Sequence, residues 1–321
     1  MNGEDKVAVC SRTFSKNPIL RSELQRRYKY ITFNDAGLQL SDKSLVNFLS
    51  GHTKAIIALE KITDEILACL PELKTISKYG VGLDMLDLDA MIKRGLNLGW
   101  IGGVNRRSVA ELTLSLIINT LRGVTTSNNQ IRNGQWQQYI GRQLTGKTVG
   151  IVGCGHVGSD LIKLLKPFSC NIILNDIKEI NNEIHEDQVR CENLEILLRE
   201  SEVITLHVPL TYLTAGMIGK KQFEVMRPDA VLINTSRGGI VDEASLKDAL
   251  LNNKIAAAAF DVFGIEPPID QELLTLANFI ATPHIGGSAI EAIVAMGYAA
   301  IDSLQEEFYV DINSIQKVTT G

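Results

Sequence analysis

The sequence has little of several features that mark specialised protein classes. No apolar stretch is long enough to span a bilayer, and the N-terminal segment MNGEDKVAVCSR lacks the apolar core of a secretory signal. We therefore expect a cytoplasmic protein with no membrane partner. The five cysteines are odd in number and lack metal-ligand spacing, which predicts free thiols in a reducing cytosol and no metal site. These cysteines are Cys10, Cys69, Cys154, Cys170 and Cys191.

The sequence also has no excess of basic charge. The formal net charge is −5 and no dense run of lysine or arginine occurs, so we do not expect nucleic acid as a partner. Internal repeats, low-complexity tracts and Pro/Gly-rich linkers are absent from the sequence. With 321 residues, of which 45% are apolar and 21% charged, the chain has the composition and length of two globular domains.

Short apolar runs rich in β-branched residues alternate with segments of helical period along nearly the whole chain. This alternation predicts an α/β protein in which helices cover both faces of two doubly wound parallel sheets. The first series of predicted strands comprises Val7–Cys10, Tyr30–Phe33, Ala55–Leu59, Lys74–Lys78 and Asn97–Trp100. The second series comprises Thr148–Val152, Asn171–Leu174, Val203–Leu206, Val231–Ile233, Ile255–Phe260 and Phe279–Ala281.

Between the two series lies a segment, Ser108–Arg122, whose apolar residues nearly encircle a helix. Such a helix is normally buried on all sides. The sequence leaves open whether its cover is the core of its own domain or a second subunit.

A glycine turn opens the second series. The string KTVGIVGCGHVG places Gly153, Gly155 and Gly158 between an apolar strand and a predicted helix. In a dinucleotide-binding turn the first glycine allows the tight bend, the second lets the backbone approach a pyrophosphate, and the third lets helix and strand pack closely. The pattern alone also fits an ordinary turn.

Asp176 strengthens the dinucleotide interpretation. It follows the next predicted strand, 18 residues after Gly158, where a carboxylate can accept hydrogen bonds from ribose hydroxyls and would repel a 2′-phosphate. We therefore predict NAD rather than NADP as the cofactor. The alternative is a solvated acid at the end of a strand.

Three residues in the second half of the chain provide the groups needed to bind a 2-oxo acid and to transfer a proton to it. Arg237 follows a predicted strand at its carboxyl end, and its planar guanidinium can bind a carboxylate. His284, in TPHIGG, can donate or accept a proton near neutral pH. Glu266, in FGIEPP, is the expected carboxylate partner of that histidine. Taken singly, each residue could instead be structural or simply solvated.

The motifs GCGHVG, LHVPLT, NTSRGGIVDE, FDVFGIEPP and TPHIGG occur in this order, and with them the chain resembles the D-isomer-specific 2-hydroxyacid dehydrogenase family from about residue 50 to about residue 300. The resemblance implies a Rossmann NAD-binding domain at 103–285. It also implies a discontinuous flavodoxin-like substrate domain at 1–102 and 286–321, an active site in the cleft between them, and a homodimer. We expect the helix Ser108–Arg122 to lie at the dimer interface.

The resemblance also implies site residues. Arg237 would bind the substrate carboxylate, His284 would be the acid/base and Glu266 its partner. The backbone of Gly80, Val81 and Gly82 would face the substrate. The implied cofactor-binding residues are Gly153, Gly155, His156, Val157, Gly158, Asp176, Val208, Pro209, Thr235, Ser236, Asp261, Gly286 and Gly287, with Asp261 at the nicotinamide carboxamide.

Within the family the chain is most similar to phosphoglycerate dehydrogenases. Because it stops at Gly321, we expect a short form without the C-terminal regulatory domain. The Arg-Ser pair that binds the substrate phosphate in those enzymes is replaced by Ile57 and Ala58. Lys61, Arg106 and Arg107 are candidates to replace its charge, so 3-phosphoglycerate stays one candidate substrate beside glyoxylate and hydroxypyruvate.

Two other function classes fit part of the sequence. An NAD-sensing corepressor of the same fold would keep the glycine turn but would need no acid/base pair. Formate and phosphite dehydrogenases of related sequence typically carry a glutamine where Glu266 stands and a lysine where Val81 stands, respectively, so both are disfavoured.

Overall fold

The computed structural model describes residues 5–178 and 189–314. The chain divides into two compact units, of which unit 1 comprises residues 1–105 with 289–321 and unit 2 comprises residues 106–288. The sequence predicts domain borders after residues 102 and 285. The borders between the two units lie three residues further along the chain, after residues 105 and 288. Each unit is built around its own parallel sheet.

In the described residues, eleven strands lie close to the predicted runs, whereas Val189–Cys191 and Tyr309–Val310 were not predicted as strands. The strands are β1 (Lys6–Val9), β2 (Tyr30–Phe33), β3 (Lys54–Ile57), β4 (Thr75–Lys78), β5 (Asn97–Gly99), β6 (Thr148–Val152), β7 (Asn171–Asn175), β8 (Val189–Cys191), β9 (Val203–Leu206), β10 (Val231–Asn234), β11 (Ala257–Phe260), β12 (Phe279–Ala281) and β13 (Tyr309–Val310).

The helices lie between the strands. They are α1 (Arg12–Lys16), α2 (Pro18–Arg27), α3 (Asp42–Leu49), α4 (Asp64–Ala68), α5 (Leu88–Lys93), α6 (Arg106–Arg122), α7 (Val124–Arg132), α8 (His156–Leu165), α9 (Leu194–Glu200), α10 (Lys220–Val225), α11 (Glu243–Leu251), α12 (Gln271–Thr275) and α13 (Ile290–Asp302).

The sheet of unit 1 has the strand order β2-β1-β3-β4-β5-β13. Its first five strands are parallel and follow the flavodoxin-like order, whereas β13 pairs with β5 in the antiparallel sense. Alternate residues of these strands enter two apolar clusters: Ala8 and Ile57 belong to one, and Val7 and Ile56 to the other. The predicted doubly wound fold is therefore confirmed, with an antiparallel edge strand in addition.

The sheet of unit 2 has seven parallel strands in the order β8-β7-β6-β9-β10-β11-β12. This is a Rossmann order, in which the direction of winding changes between β6 and β9. Strands β9 and β10 are buried along their whole length, as expected for central parallel strands covered on both faces. Ligands bind outside the carboxyl ends of the strands at such a switch point.

The apolar helix α6 belongs to the core of unit 2. Its residues Ala110, Leu116, Ile117 and Leu121 are buried in the same cluster as strand residues of β6 and β10. Of the two explanations that the sequence left open, burial within its own domain is the one observed. The composition of this helix therefore gives no support to a subunit interface.

Within the described ranges, no helix is long and apolar enough to cross a membrane. The same residues include no group of three or more histidine, cysteine, aspartate or glutamate side chains that could hold a metal ion.

Candidate active site

The predicted catalytic residues follow three neighbouring strands of unit 2. Arg237 lies after β10, Glu266 after β11 and His284 after β12, and these strands are hydrogen-bonded to one another in parallel. The glycine turn follows β6 in the same sheet. Since the carboxyl ends of parallel strands meet at one edge, the fold carries all four segments to the edge at which ligands bind.

Gly153 and Gly158 are glycines for steric reasons. Gly153 has φ 93°, and a Cβ atom there would come within 2.5 Å of the carbonyl oxygen of His207. A Cβ atom on Gly158 would come within 2.1 Å of the carbonyl oxygen of Gly153. The first glycine thus allows β6 to turn beside β9, and the third allows α8 to pack onto that turn.

Gly155 differs, because a Cβ atom built on it meets no protein atom within 4 Å. It lies directly before α8, whose first residues, His156 and Val157, are exposed and half-buried. The N-terminus of a ten-residue helix offers backbone N–H groups and partial positive charge. Open space at Gly155 beside this terminus fits the pyrophosphate of a dinucleotide.

Asp176 follows β7 and is linked to the glycine turn. Its Oδ2 accepts a hydrogen bond from the backbone nitrogen of Cys154 at 2.7 Å, and Oδ1 accepts one from the nitrogen of Lys178 at 2.8 Å. The side chain is half-buried. The carboxylate therefore lies beside the turn, where the adenosine end of a dinucleotide is bound in Rossmann folds.

His284 and Glu266 form a hydrogen-bonded pair. Nδ1 of His284 lies 2.8 Å from Oε2 of Glu266, and the two side chains are 50% and 38% exposed. The other carboxylate oxygen, Oε1, accepts a hydrogen bond from the backbone nitrogen of Phe263 at 3.1 Å. Nδ1 is hydrogen-bonded to Glu266, and Glu266 is itself held by Phe263. The orientation of the ring is therefore set, and Nε2 is the nitrogen that remains for a substrate.

Arg237 lies on a loop that contacts the loop of Glu266. Gly238 packs so closely that a Cβ atom on it would come within 1.9 Å of the carbonyl group of Phe263. Arg237 itself is half-buried, and its Nη1 donates to the carbonyl oxygen of Ser236 at 2.7 Å. The structure thus brings the loops after β10 and β11 into contact at the edge of the sheet.

Asp261 is almost fully buried, at 1% exposure. Its carboxylate accepts hydrogen bonds from Thr282 Oγ1 at 2.5 Å and from the backbone nitrogens of Ile285 and Gly286 at 2.8 and 2.7 Å. These donors flank His284 in the chain. Sequence reasoning placed Asp261 at the nicotinamide and did not foresee this link, because no local pattern indicates which donors a buried carboxylate will meet.

The remaining predicted cofactor residues lie along the same edge. Thr235 is buried and its Oγ1 lies 2.8 Å from Oγ1 of Thr113. Ser236 donates from its nitrogen and its hydroxyl to Oδ1 of Asn234, at 3.1 and 2.9 Å. Val208 and Gly287 are half-buried and Pro209 is exposed. Gly286 is buried, and its carbonyl oxygen accepts a hydrogen bond from Ser108 Oγ at 2.6 Å.

The predicted substrate loop belongs to unit 1. Gly80 has φ 122°, and Trp100 Nε1 donates a hydrogen bond to the carbonyl oxygen of Val81 at 3.1 Å; Gly80, Val81 and Gly82 are all half-buried. Nearby on β3, Ile57 is fully buried. Ala58, which follows it, accepts a hydrogen bond at its carbonyl oxygen from the buried ammonium of Lys78.

The three cations that could replace the charge of the missing Arg-Ser pair lie in different parts of the fold. Arg107 forms an ion pair with Asp160 of α8, with Nη2 2.9 Å from Oδ1. Arg106 is exposed at the start of α6, and Lys61 is exposed in unit 1. Arg106 and Arg107 thus lie in unit 2, whereas Ile57 and Ala58 lie in unit 1.

His207 lies between β9 and the predicted cofactor residues Val208 and Pro209. Burial lowers the pKa of His207 to about 3, so its ring is neutral at ordinary pH. Nε2 lies 3.0 Å from Oγ1 of Thr205, while Nδ1 is buried without a hydrogen-bond partner among the described residues. The residue as a whole is half-buried, and its backbone carbonyl lies next to the glycine turn.

The arrangement provides the groups that move a proton to and from an oxygen. The imidazole of His284 can exchange the proton, and the carboxylate of Glu266 stabilises the charged form of the ring. A guanidinium on the adjoining loop can bind a carboxylate through two parallel hydrogen bonds. Open space at the N-terminus of α8, beside the same edge of the sheet, suits a phosphate-bearing cofactor.

Comparison with known proteins agrees with this geometry. Residues 114–286 match the family model described as D-isomer specific 2-hydroxyacid dehydrogenase, NAD binding domain. D-3-phosphoglycerate dehydrogenase of Methanocaldococcus jannaschii is 37% identical over 251 residues, which cover 77% of this chain and 48% of that protein. Glyoxylate reductase of Thermococcus litoralis is 38% identical over 247 residues, which cover 74% of each chain.

The chain spans about half the length of the first phosphoglycerate dehydrogenases that it matches. Among solved structures, D-lactate dehydrogenase with NAD+ from Lactobacillus jensenii is similar, with a TM-score of 0.77 and 25% identity. The match covers 95% of this chain and 99% of that structure. The matched family model is described as an NAD binding domain, which confirms NAD as the cofactor predicted from the glycine turn and Asp176.

Proposed function

The chain belongs to the D-isomer-specific 2-hydroxyacid dehydrogenase family, and we propose that it is an NAD-dependent oxidoreductase that interconverts a D-2-hydroxy acid and the corresponding 2-oxo acid. The observation that carries this proposal is the 2.8 Å contact between His284 and Glu266 at the sheet edge that also bears the glycine turn. A binding protein would need the turn but not the acid/base pair.

In the proposed reaction His284 handles the proton on the C2 oxygen of the substrate. Its Nδ1 is held by Glu266, so the exchange with substrate takes place at Nε2. In the reduction the imidazolium donates this proton, and in the oxidation the neutral ring accepts it. The carboxylate of Glu266 stabilises the imidazolium in both directions.

Arg237 binds the substrate carboxylate in this proposal. Its fork of N–H donors can take both carboxylate oxygens and can also polarise the neighbouring carbonyl group. We assign substrate binding also to unit 1, through backbone N–H groups of the loop Gly80–Gly82. The flexible backbone of two glycines suits close approach of a small anion.

The cofactor, when bound, would supply a hydride to C2 of the 2-oxo acid or accept one from C2 of the 2-hydroxy acid. We propose that the glycine turn and the N-terminus of α8 hold its pyrophosphate and that Asp176 holds the adenine ribose. The other residues proposed to line its site are Val208, Pro209, Thr235, Ser236, Asp261, Gly286 and Gly287. Exclusion of water from the occupied site would favour the hydride transfer.

The substrate is proposed to be a small 2-oxo acid such as glyoxylate or hydroxypyruvate, with 3-phosphoglycerate as the second candidate. The specific observation is the apolar, buried Ile57 followed by Ala58, where a phosphate-binding Arg-Ser pair would stand. Loss of a charge-assisted phosphate contact typically costs about 1.5–3 kcal/mol. Two relatives at 38% and 37% identity are named glyoxylate reductase and D-3-phosphoglycerate dehydrogenase, so the family admits both classes.

NADH oxidation with a panel of 2-oxo acids tests the proposal. The panel contains glyoxylate, hydroxypyruvate, 2-oxoglutarate and phosphohydroxypyruvate, with 3-phosphoglycerate plus NAD for the reverse direction. We expect turnover of at least one unphosphorylated acid, and H284A should lower it by on the order of 10²–10⁴. NADH binding without turnover of any acid would support the corepressor-like alternative instead.

We also propose a homodimer, with its interface on α7 and the following segment 133–143 rather than on α6. Trp136 and Ile140 are 87% and 95% exposed, and Val124, Ile131 and Tyr139 are also exposed. The segment is anchored, since the nitrogen of Arg142 donates to the carbonyl oxygen of Leu121 at 2.9 Å. Anchored apolar side chains in this number are typical of an interaction surface.

Sedimentation of the wild type and of the double variant W136S/I140S tests this interface. The proposal expects a dimer for the wild type and a monomer for the variant.

All five cysteines lack disulfide bonds, which supports our proposal of a reducing, cytosolic compartment.

A further inference from the structure

We propose that Asp261 is a positioning residue, whose buried carboxylate holds the loop that presents His284. The inference rests on the proposed function, because His284 is the acid/base of that reaction. It gives Asp261 a role in addition to the contact with the nicotinamide that the family resemblance implies. The relevant atoms all belong to unit 2.

The contacts surround His284 in sequence. Thr282, two residues before it, donates from its hydroxyl to Oδ1 of Asp261 at 2.5 Å, and Ile285, directly after it, donates from its nitrogen to the same oxygen at 2.8 Å. Gly286 donates from its nitrogen to Oδ2 at 2.7 Å. One buried carboxylate thus accepts three hydrogen bonds from the short loop that carries the histidine.

The conformation of His284 explains why the loop needs this support. Its φ is 54°, in the left-handed region that L-residues other than glycine adopt rarely. Such a conformation persists when surrounding contacts determine it. The three hydrogen bonds to Asp261 provide these contacts on both sides of the strained residue.

Asp261 is itself fixed to the sheet, and so is the far end of the loop. The nitrogen of Asp261 donates to the carbonyl oxygen of Asn234 at the end of β10, at 2.9 Å. The carbonyl oxygen of Gly286 accepts from Ser108 of α6 at 2.6 Å. The loop is therefore held between a strand end and a helix, while Glu266 holds the ring of His284.

The chemistry of the carboxylate matches this task. Ionised aspartate only accepts hydrogen bonds, and it has about four acceptor positions, of which the loop uses three. An asparagine would replace one oxygen with an NH2 group, which would point a donor at the N–H or O–H groups of the loop. The position therefore requires an acceptor at both side-chain oxygens.

The proposed experiment compares Asp261→Asn, Thr282→Val and Thr282→Ser with the wild type. Thr282→Val removes one donor at nearly constant volume, and Thr282→Ser keeps the hydroxyl. For each variant, kcat and KM are measured with the best 2-oxo acid at saturating NADH, and the NADH dissociation constant is measured by fluorescence. We expect kcat to fall about tenfold in Thr282→Val and on the order of 10²-fold in Asp261→Asn, because small misplacements of a catalytic group are costly.

The NADH dissociation constant should stay within about twofold in both Thr282 variants, and Thr282→Ser should recover most of kcat. A second readout needs no turnover: carbethoxylation of His284 by diethyl pyrocarbonate in the apoprotein, followed by peptide mass spectrometry. We expect His284 to react faster in Thr282→Val and Asp261→Asn than in the wild type and Thr282→Ser.

Two results would overturn the inference. One is a wild-type kcat and an unchanged rate of His284 modification in Thr282→Val. The other is an Asp261→Asn variant whose only defect is weaker NADH binding, with kcat restored at saturating cofactor, as a contact with the nicotinamide predicts. If the wild type reduces no 2-oxo acid, the proposed function fails, whereas the modification rates still decide whether Asp261 holds the loop.

Discussion

Nδ1 of His284 and Oε2 of Glu266 lie 2.8 Å apart although 18 residues separate them in the chain. The contact arises because β11 and β12 are neighbours and both loops leave the same edge of the sheet. The other carboxylate oxygen is held by the backbone of Phe263, so the partner of the histidine cannot rotate freely. A histidine oriented in this way is suited to proton transfer at its remaining nitrogen.

Replacing either member of this pair should lower turnover by different amounts. His284→Ala removes the acid/base, and we expect kcat to fall by on the order of 10²–10⁴. Glu266→Gln keeps a hydrogen-bond acceptor but loses the negative charge that stabilises the imidazolium, so a smaller loss, about 10–10²-fold, is expected. Steady-state NADH oxidation measures both.

The control for these variants is NADH affinity, measured by fluorescence titration. It should be nearly unchanged, because neither side chain is assigned to the cofactor. Turnover by His284→Ala at the wild-type rate would remove this residue from the mechanism.

Arg237 should act mainly through substrate binding. Arg237→Ala loses a charge-assisted contact of about 1.5–3 kcal/mol, which corresponds to a fall in kcat/KM of about 10- to 150-fold. Arg237→Lys is the matched variant, since it keeps the charge but loses the planar fork, and it should recover only part of the loss. A kcat/KM equal to that of the wild type in Arg237→Ala would refute the assignment.

The glycine turn offers two substitutions with opposite expectations. In Gly155→Ala the new methyl group meets no protein atom within 4 Å, so the melting temperature of the apoprotein should hold while NADH binding weakens. In Gly153→Ala the methyl group meets the carbonyl oxygen of His207 at 2.5 Å and the backbone has φ 93°. That variant should be destabilised even without cofactor. Calorimetry and NADH titration of both variants separate the two roles; equal NADH affinity in Gly155→Ala and wild type would contradict the cofactor site.

Cofactor choice should depend on Asp176. Removing the carboxylate in Asp176→Ala should weaken NADH and relieve the repulsion of a 2′-phosphate, so the ratio of kcat/KM for NADH over NADPH should fall. Because the carboxylate also accepts a hydrogen bond from Cys154, thermal stability of the apoprotein serves as the control. An unaltered preference for NADH would place the ribose elsewhere.

His207 should make stability depend on pH. Its pKa is lowered to about 3 by burial, so the unfolded chain, with a histidine pKa near 6.5, binds the proton more readily. The contribution of His207 to the free energy of unfolding is therefore fully present above about pH 6.5 and is lost as the pH falls towards 3. At pH 5 the loss is on the order of 2 kcal/mol. Urea unfolding at pH 7 and pH 5 measures this loss, and His207→Gln should remove it. An equal loss in both proteins would assign the acid sensitivity to other groups.

Much of the fold could be predicted from the sequence because its strands are buried on both faces. Buried runs such as Val203–Leu206 and Thr148–Val152 were located to the residue, and most other predicted strands to within one or two. The family inferred from five ordered motifs is confirmed by the family model, and the α/β fold class inferred from the alternation of strands and helices is confirmed by the two sheets. Strands β8 and β13 were missed, since runs of two or three residues carry too little periodicity to be recognised.

The contacts of the site could not be predicted in the same way. Sequence order places Glu266 and His284 after neighbouring strands, but it does not show that their side chains touch. The internal use of Asp261 depends on backbone donors 24 and 25 residues further along, which no local pattern reveals. Helix α6 shows the same limit, because its composition predicted burial but not which surface would cover it.

The central claim is that Arg237, Glu266 and His284 act on one substrate beside the nicotinamide. A crystal structure with NADH and oxamate, an unreactive analogue of a 2-oxo acid, tests it most directly. The account predicts the oxamate carboxylate on the guanidinium of Arg237 and its carbonyl oxygen within hydrogen-bond distance of Nε2 of His284, with Nδ1 still on Glu266. Oxamate bound away from these side chains, or an imidazole directed away from the nicotinamide, would contradict it.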